Sequence, residues 1–376
     1  MTLNNQAMPR LLMWMPSASA IPGGHRVQFD LTSDALQRLG VPLRTSTDPD
    51  PDMTDVDVVH GFGLSADQVH WCRSMGLRTA LSTIYWGCDY RIKQPWRNQL
   101  RLLPWAVFRG ARLSRAALRG HGEVVRVCFT EARPELSTAL AFAAADVLLP
   151  NARGEAEAIG RDLGVSTPCH WVPNGVSPGV FSPGEDSFES RHRLLYVGRI
   201  EPHKNQLALI EAMRGTELEL AIVGPPHPHH LEYFDECRRR GRGWVEFLGP
   251  MAHSELAELY RSARVHVLPS WFETTGLVSL EAALSGCNIV TTKRGYAREY
   301  LGDHAWYCDP GDSRSIREAV IAAWNSPPDF FLRARILDNY TWDHTAKATL
   351  DGYLQVLHRG SSSPTASSNE PEITCD

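Results

Sequence analysis

The stretch VHVLPSWFETTGLVSLEAALSG, residues 265–286, contains one complete strand–loop–helix unit of the predicted fold. Residues 265–268 form a short apolar run that predicts a buried β-strand, and the residues after it predict a loop. A helix is expected over residues 277–285, because Gly286 occupies a position where glycine commonly ends a helix. Strand, loop and helix in this order are typical of one unit of a parallel sheet.

The same alternation of short apolar runs and helical patterns continues through the rest of the chain. Helices are predicted, for example, over Gln206–Met213 and Ser254–Arg261. This alternation predicts the α/β class, with parallel sheets that are covered by helices on both faces. The other predicted strands are Leu11–Met15, Val56–His60, Thr79–Thr83, Asp146–Leu149, Leu194–Val197, Leu218–Val223, Val245–Leu248 and Asn288–Thr292.

Length and local composition divide the chain into two domains. A chain of 376 residues is long for one α/β domain and suits two. The segment from Pro173 to Arg191 contains three prolines and three glycines, which is typical of a linker. We therefore predict Rossmann-like domains over residues 1–175 and 191–340, joined by a linker over 176–190. The polar residues 361–376 predict a disordered tail.

Bulk composition narrows the class of protein. The net charge of −5 argues against a protein that binds polyanions over its whole surface. Eight scattered cysteines without a CxxC pair favour free thiols over a zinc site or disulfides. The apolar runs Leu11–Met15 and Ala139–Ala145 are too short to span a bilayer. We expect a cytoplasmic protein, either soluble or peripheral on the inner face of the membrane.

Two cations lie in the loop that follows the predicted strand Leu194–Val197. In an open α/β sheet, ligands bind at the carboxyl ends of the strands, where this loop begins. Gly198 allows a sharp turn. Arg199 suits a diphosphate because its guanidinium is a planar fork of donors, and Lys204 suits it because its ammonium is a mobile point charge. The alternative is a pair of solvated surface charges.

The helix start at Thr275 and Gly276 lies between two acidic residues. Its free N–H groups and positive dipole end favour an anion such as a nucleotide phosphate. Glu281 has apolar neighbours, and burying its carboxylate is costly unless a partner such as a ribose diol binds it. Glu273, in the loop, suits sugar hydroxyls. The alternative is that Glu273 only interacts with the positive end of the helix dipole and that Glu281 faces solvent.

The N-terminal half has weaker signals. Gly23 and Gly24 precede a predicted helix and let backbone N–H groups approach a phosphate, although a plain turn is an equal alternative. His60 ends one predicted strand. Tyr85 and Trp86 follow another, where they either line an acceptor site or pack in the core.

The segment from Asp89 to Arg126 carries nine Lys and Arg residues, with Glu123 as its only acid after Asp89. Tryptophans and apolar residues are interleaved with these cations. Such a segment suits an anionic membrane surface or an anionic acceptor. The alternative is a helix pair with a solvated basic face. No nucleic-acid motif accompanies it, which argues against nucleic acid as a partner.

Three motifs, in this order along the chain, resemble the retaining glycosyltransferase family 4, or glycosyl transferases group 1, which has the GT-B fold. They are the turn Val172–Val176, the stretch Gly198–Lys204, and the pair Glu273 and Glu281. The resemblance extends from residue 194 to residue 310. It implies two Rossmann-like domains that face a cleft, and a terminal helix over 341–360 that crosses back to the first domain. It also implies a nucleotide diphosphate sugar as the donor substrate, and a reaction without a metal or a cofactor.

The resemblance also implies roles for single residues. Glu273, Arg199 and Lys204 would be catalytic, with the two cations on the diphosphate and Glu273 on the transferred sugar. Two departures from the family pattern are visible: Thr274 and Thr275 stand where the family often has Gly and Phe, and the frequent histidine of the first domain is absent. The implied nucleotide-sugar-binding residues are Gly23, Gly24, Phe247, Leu248, Thr275, Gly276, Leu277 and Glu281.

The function implied by the resemblance is transfer of a hexose to a hydroxyl acceptor, a glycan or a lipid-linked saccharide, in polysaccharide biosynthesis. No Asp-x-Asp pair stands at a predicted strand end, since Asp50 and Asp52 lie in a proline-rich loop. Two alternatives remain open: an epimerase of nucleotide sugars with the same fold, and a protein that binds nucleotide sugars without catalysis.

Overall fold

The computed structural model describes residues 8–16, 23–87, 134–184 and 187–361. The predicted basic segment 89–126 lies outside the described residues, as do residues 362–376 of the predicted tail. Within the described ranges, no helix is both long enough and apolar enough to cross a bilayer. The cysteines of these ranges are all free thiols, at positions 72, 169, 237, 287 and 308.

The first half forms a five-stranded parallel sheet with the order β2-β1-β3-β4-β5. Its strands are β1 Leu11–Trp14, β2 Leu43–Ser46, β3 Val58–Phe62, β4 Arg78–Ser82 and β5 Val147–Leu149. Its helices are α1 Gly24–Arg38, α2 Ala66–Ser74, α3 Pro134–Ala144 and α4 Arg153–Leu163.

The second half forms a six-stranded parallel sheet with the order β11-β10-β9-β6-β7-β8. Its strands are β6 Arg193–Val197, β7 Glu219–Val223, β8 Val245–Leu248, β9 Ala263–Leu268, β10 Asn288–Thr292 and β11 Trp306–Cys308. The helices are α5 Gln206–Met213, α6 Leu231–Arg240, α7 His253–Ser262, α8 Leu277–Leu284, α9 Ala297–Leu301, α10 Ser313–Asn325, α11 Phe330–Asn339 and α12 Trp342–Ser361.

The predicted fold class is confirmed, since both sheets are parallel and carry helices. Strands with a buried apolar run were predicted to within two residues at each end. Strands β2 and β11, which lie at sheet edges, were not predicted from the sequence. The residues of β2 are half-buried or exposed, so this strand lacks the apolar run that marks a central strand.

Helix α12 returns from the second half to pack on the first sheet. Its residues Trp342, Ala346 and Tyr353 share one apolar core with β1 and β3. The start of α12 lies beside the turn of residues 173–176, because the Val176 N–H donates to the Tyr340 carbonyl at 2.9 Å. The chain therefore passes between the two sheets twice, along adjacent paths.

His60 connects helix α12 to the first sheet. The expectation that His60 ends a strand was wrong, since β3 continues to Phe62. Its Nδ1 lies 2.6 Å from the Tyr353 hydroxyl and its Nε2 lies 2.8 Å from the Ser82 hydroxyl. Burial lowers the pKa of His60 to about 3, so the ring is neutral near pH 7. His60 is a structural residue of the core.

A buried carboxylate joins the carboxyl ends of β4 and β5. Glu155, on α4, accepts hydrogen bonds from the Thr83 hydroxyl at 2.9 Å, the Tyr85 N–H at 2.7 Å and the Asn151 N–H at 2.8 Å. Burial raises its pKa to about 7, although these donors act in the opposite direction. Glu155 therefore fixes the loop that leads from β4 to Trp86.

We predict that Glu155→Ala destabilises the first domain strongly. The substitution leaves three buried donors without an acceptor, at a cost of about 3 kcal/mol or more. The thermal transition of this domain should fall by about 6 °C or more in calorimetry. Glu157→Ala, an exposed change on the same helix, should shift it by less than about 2 °C. Equal shifts in the two variants would contradict a structural role for the buried carboxylate.

Candidate active site

The predicted site residues of the two halves meet between the sheets. A side-chain carbon placed on Gly23 would lie 3.5 Å from Nη1 of Arg199, and one placed on Gly24 would lie 4.0 Å from Cδ1 of Leu277. Gly24, the first residue of α1, therefore lies beside the start of α8, and Gly23, just before it, lies beside Arg199 in the loop after β6. Because glycine has no side chain, the Gly23 backbone remains accessible beside the Arg199 guanidinium.

Lys204 and Glu273 form an ion pair with a distance of 2.6 Å between Nζ and Oε1. The side chains are 21% and 7% exposed, so the pair is largely shielded from water. Burial alone raises the pKa of Glu273, but the charge of Lys204 and the Lys204 hydrogen bond bring it below its usual value. Glu273 is therefore ionised near neutral pH. An ammonium has three N–H donors, so the pair leaves donors for a ligand.

The backbone of Glu273 is held by the loop after β10. The Glu273 N–H donates to the Arg294 carbonyl at 3.2 Å, and the Tyr296 N–H donates to the Glu273 carbonyl at 2.8 Å. Gly295, between them, has a φ of +101°, and a side-chain carbon there would lie 2.1 Å from the Glu273 carbonyl oxygen. Only glycine fits this position without displacing Glu273.

Helix α8 begins at a left-handed glycine. Gly276 has a φ of 72°, and the Ser279 N–H donates to its carbonyl at 2.8 Å. The Asn174 amide donates to the Thr275 hydroxyl at 2.9 Å, which joins the turn of residues 172–176 to this helix start. The first N–H groups of a helix have no partner within it, so this end of α8 can accept an anion.

Glu281 is buried one and a half turns into α8. Its carboxylate accepts from the Tyr260 hydroxyl at 3.3 Å and is 8% exposed. Burial raises the pKa of Glu281 to about 7, and the Tyr260 hydrogen bond acts in the opposite direction. The solvent-facing alternative for Glu281 does not hold, whereas its contact with a ribose stays a prediction.

Tyr85 and Trp86 have different environments. The Tyr85 side chain is buried in the first domain, where its hydroxyl lies 3.3 Å from Asp162 Oδ2. The Trp86 ring is stacked on His203 of the second domain, with centroids 4.6 Å apart and planes within 6°. Burial, followed by the charge of Lys204, lowers the pKa of His203 to about 4, so the stacked imidazole is neutral. Trp86 is therefore the one of the two that reaches the loop of Arg199 and Lys204.

Phe247 and Leu248 lie in β8, at the edge of the second sheet. The Phe247 ring packs edge-on against Phe234 with centroids 5.9 Å apart. The Leu248 carbonyl accepts from the Gly224 N–H at 3.1 Å. A side-chain carbon on Gly224 would lie 2.3 Å from the Gly198 carbonyl oxygen. The end of β8 therefore connects to the Arg199 loop through the turn at Gly224, and the base contact implied for Phe247 and Leu248 stays a prediction.

Three features of the site were not predicted from the sequence. They are the direct Lys204–Glu273 pair, the bond from Asn174 to Thr275, and the Trp86–His203 stack. The Asn-Gly turn was noticed as a motif, but no sequence signal connects residues that are 101 positions apart. Trp86 was predicted either to line an acceptor site or to pack in the core, and neither alternative indicated His203 as its partner.

Residues 181–339 match the family model described as glycosyl transferases group 1. A D-inositol 3-phosphate glycosyltransferase from Stackebrandtia nassauensis is 32% identical over 257 residues, which are 59% of this chain and 57% of the relative. A glycogen synthase from Mycobacterium tuberculosis is 33% identical over 186 residues, which are 46% of this chain and 44% of the relative. The chain spans about half the length of the curated relatives that it matches.

Solved structures share the architecture over nearly the whole chain. A sucrose-phosphate synthase from Thermosynechococcus elongatus has a TM-score of 0.72 at 16% identity, over 94% of this chain and 100% of that one. HepE of Anabaena, solved in complex with UDP and glucose, has a TM-score of 0.60 at 14% identity, over 94% and 98%. The predicted GT-B fold is confirmed, and the predicted resemblance to glycosyl transferases group 1 is confirmed for residues 181–339.

We predict that Gly295→Ala displaces the Glu273 loop. The added methyl group overlaps the Glu273 carbonyl, and alanine is strained at this φ, so the cost is about 2 kcal/mol or more. The transition of the second domain should fall by about 4 °C or more in calorimetry. Gly179→Ala, where the added carbon meets nothing within 4 Å, should leave it unchanged. A harmless Gly295→Ala would show that this loop tolerates rearrangement.

Proposed function

Since residues 181–339 carry a glycosyl transferases group 1 domain and the chain has the GT-B fold, we propose that this protein is a retaining glycosyltransferase. It moves a hexose from a nucleotide diphosphate sugar to a hydroxyl acceptor, a glycan or a lipid-linked saccharide. The observation that carries the proposal is a set of neighbouring contacts: Arg199 lies beside Gly23, the start of α8 lies beside Gly24, and the Lys204–Glu273 pair joins the loop of Arg199 to the loop that leads into α8. A fold alone does not define an activity, so the argument rests on these groups.

Arg199 and Lys204 stabilise the departing diphosphate. As the bond to the anomeric carbon breaks, negative charge grows on the leaving phosphate, and cations fixed in a shielded site stabilise that charge strongly. Arg199 lies beside the glycine turn of the first domain, and the start of α8 lies beside Gly24. Groups from both domains therefore surround the position proposed for the diphosphate.

Glu273 serves the transferred sugar as an ionised carboxylate. An ionised carboxylate only accepts hydrogen bonds, so it binds sugar hydroxyls and does not supply a proton. Its negative charge also stabilises the positive charge that develops at the anomeric carbon. The Lys204 ammonium keeps Glu273 ionised despite its burial. The proton of the acceptor hydroxyl passes to the leaving phosphate in this proposal.

The two cations replace a divalent ion in this proposal. We expect transfer to continue in the presence of a chelator, because Arg199 and Lys204 supply the positive charge that a metal would supply. The binding of UDP and glucose by HepE supports a nucleotide diphosphate donor for the same fold. The proposal places the protein in the cytoplasm, with segment 91–126 in peripheral contact with an anionic membrane.

We predict that Glu273→Gln lowers the rate of transfer by about 100-fold while nucleoside diphosphate affinity stays within about threefold. The neutral amide cannot stabilise positive charge at the anomeric carbon, but the cations remain. The measurement is release of nucleoside diphosphate from a panel of nucleotide sugars, with and without saccharide acceptors. Glu318→Gln, an exposed change, is the control.

The same panel separates the proposal from its alternatives. Release that depends on an acceptor supports transfer. Conversion of the nucleotide sugar without an acceptor would instead support an epimerase, and binding without any conversion would support a non-catalytic protein. If Glu273→Gln keeps the wild-type rate, the role of Glu273 is wrong.

We also predict that nucleotide affinity depends on the ionisation of Glu281. Its pKa of about 7 means that protonation on the acid side removes an acceptor for the ribose diol. Affinity should therefore rise as pH increases through 7, by up to about tenfold per unit below it. Calorimetry from about pH 5.5 to about pH 8 measures this. Glu281→Gln should bind more weakly and show only the pH dependence of the nucleotide itself; an unchanged profile would reject the ribose contact.

A further inference from the structure

Two histidines and a glutamate lie together next to the Arg199 loop. One potential ligand atom from each of Glu201, His227 and His230 lies within 4.8 Å of the others. Glu201 belongs to the loop after β6, and the two histidines belong to the loop after β7, in the sequence Pro-Pro-His-Pro-His-His, residues 225–230. Neither the sequence motifs nor the proposed reaction gives these histidines a role.

The two loops are fixed to each other by their backbones. The Ile200 N–H donates to the Pro225 carbonyl at 2.9 Å, and the His227 N–H donates to the Ile200 carbonyl at 3.1 Å. The prolines at 225, 226 and 228 further restrict the second loop, because each fixes its own φ. The distance between Glu201 and His227 is therefore set by the fold before any ligand arrives.

Arg199 orients the carboxylate of the cluster. Its Nη2 lies 3.2 Å from Glu201 Oε1, and the other oxygen, Oε2, lies 3.9 Å from His227 Nε2. That distance is too long for a hydrogen bond, so Oε2 and Nε2 face each other without bonding. A cation that bonds one oxygen of a carboxylate and directs the other is typical of the outer shell of a metal site.

The cluster is shielded on one side and open on the other. Glu201 is 8% exposed and the His227 side chain is 20% exposed, whereas His230 lies at the surface. The His230 imidazole at the open side can bind a metal, and water has access to the remaining positions.

We propose that Glu201, His227 and His230 form a binding site for a divalent transition metal of the zinc class. Two imidazoles and one carboxylate suit zinc, cobalt or nickel, whereas magnesium and calcium prefer oxygen ligands alone. Three protein ligands leave a fourth position of a tetrahedral site to water. The site lies beside the proposed diphosphate position but does not depend on the transfer reaction.

Binding requires two small adjustments. Ligand atoms around tetrahedral zinc lie about 3.3 Å apart, so the cluster must contract, and the exposed His230 side chain is the one with room to move. His227 Nδ1 accepts from the His229 N–H at 3.2 Å, so this bond belongs to the tautomer that carries its proton on Nε2. Coordination through Nε2 moves this proton to Nδ1 and transfers the His229 N–H to water, at the loss of one long hydrogen bond.

The test is calorimetric titration of the chelator-treated and dialysed full chain with Zn²⁺. We expect one site with a dissociation constant of about 1 µM or tighter. His227→Ala and His230→Ala should each weaken it by at least about tenfold. His229→Ala is the matched control: it lies between the two ligands and is exposed, and it keeps the backbone N–H that bonds His227. Its affinity should stay within about twofold.

Titration with Co²⁺ identifies the ligand type. A site of imidazoles and a carboxylate gives visible d–d bands without the near-ultraviolet charge-transfer band of a thiolate, which distinguishes it from binding at an exposed cysteine such as Cys169. Circular dichroism and thermal transitions verify that all variants fold. The proposal is overturned by a thiolate band, by absence of saturable binding below about 100 µM, or by equal losses in His229→Ala and the ligand variants.

Discussion

The candidate site depends on one shielded ion pair, between Lys204 and Glu273. An ionised carboxylate buried without a partner costs several kcal/mol, so this position of Glu273 is stable only with the ammonium in contact. The pair joins the loop after β6 to the loop after β9, two strands that are neighbours in the sheet. It therefore fixes the relative positions of the cations in one loop and of the helix start in the other.

Close backbone contacts between neighbouring loops extend this constraint across the sheet. Gly224 lies against the Gly198 carbonyl, and Gly295 lies against the Glu273 carbonyl. The four loops follow β6, β7, β9 and β10, which lie in the central part of the six-stranded sheet. Because the loops pack backbone to backbone, the polar side chains can point together above the strand ends, where an open α/β sheet binds its ligands. The residues of the proposed diphosphate position and of the histidine cluster therefore lie on the same set of loops.

The motifs selected residues that lie close together, but they did not predict the contacts among them. Short apolar runs identified most of the strands. The edge strand β2 was missed because it lacks such a run, and the edge strand β11 was missed as well. Arg199, Lys204 and Glu273 were selected as single residues by charge and position after a strand. Their pairing was not predicted, since Lys204 and Glu273 are 69 positions apart and only the strand order β9-β6 makes them neighbours.

The contacts that the first domain makes with the second were harder to predict, because they involve backbone and aromatic groups without charge. Gly23 supplies an accessible backbone beside Arg199, and Trp86 supplies a ring face to His203. Neither contribution has a spacing rule, because each is defined by a partner on the other domain. Helix α12 holds the two halves in the arrangement that allows these contacts. It connects the second half to the first sheet through the apolar core that it shares with that sheet and through the His60–Tyr353 hydrogen bond. A sequence pattern can predict that such a helix is amphipathic. The surface on which the helix packs, however, exists only after both sheets have folded.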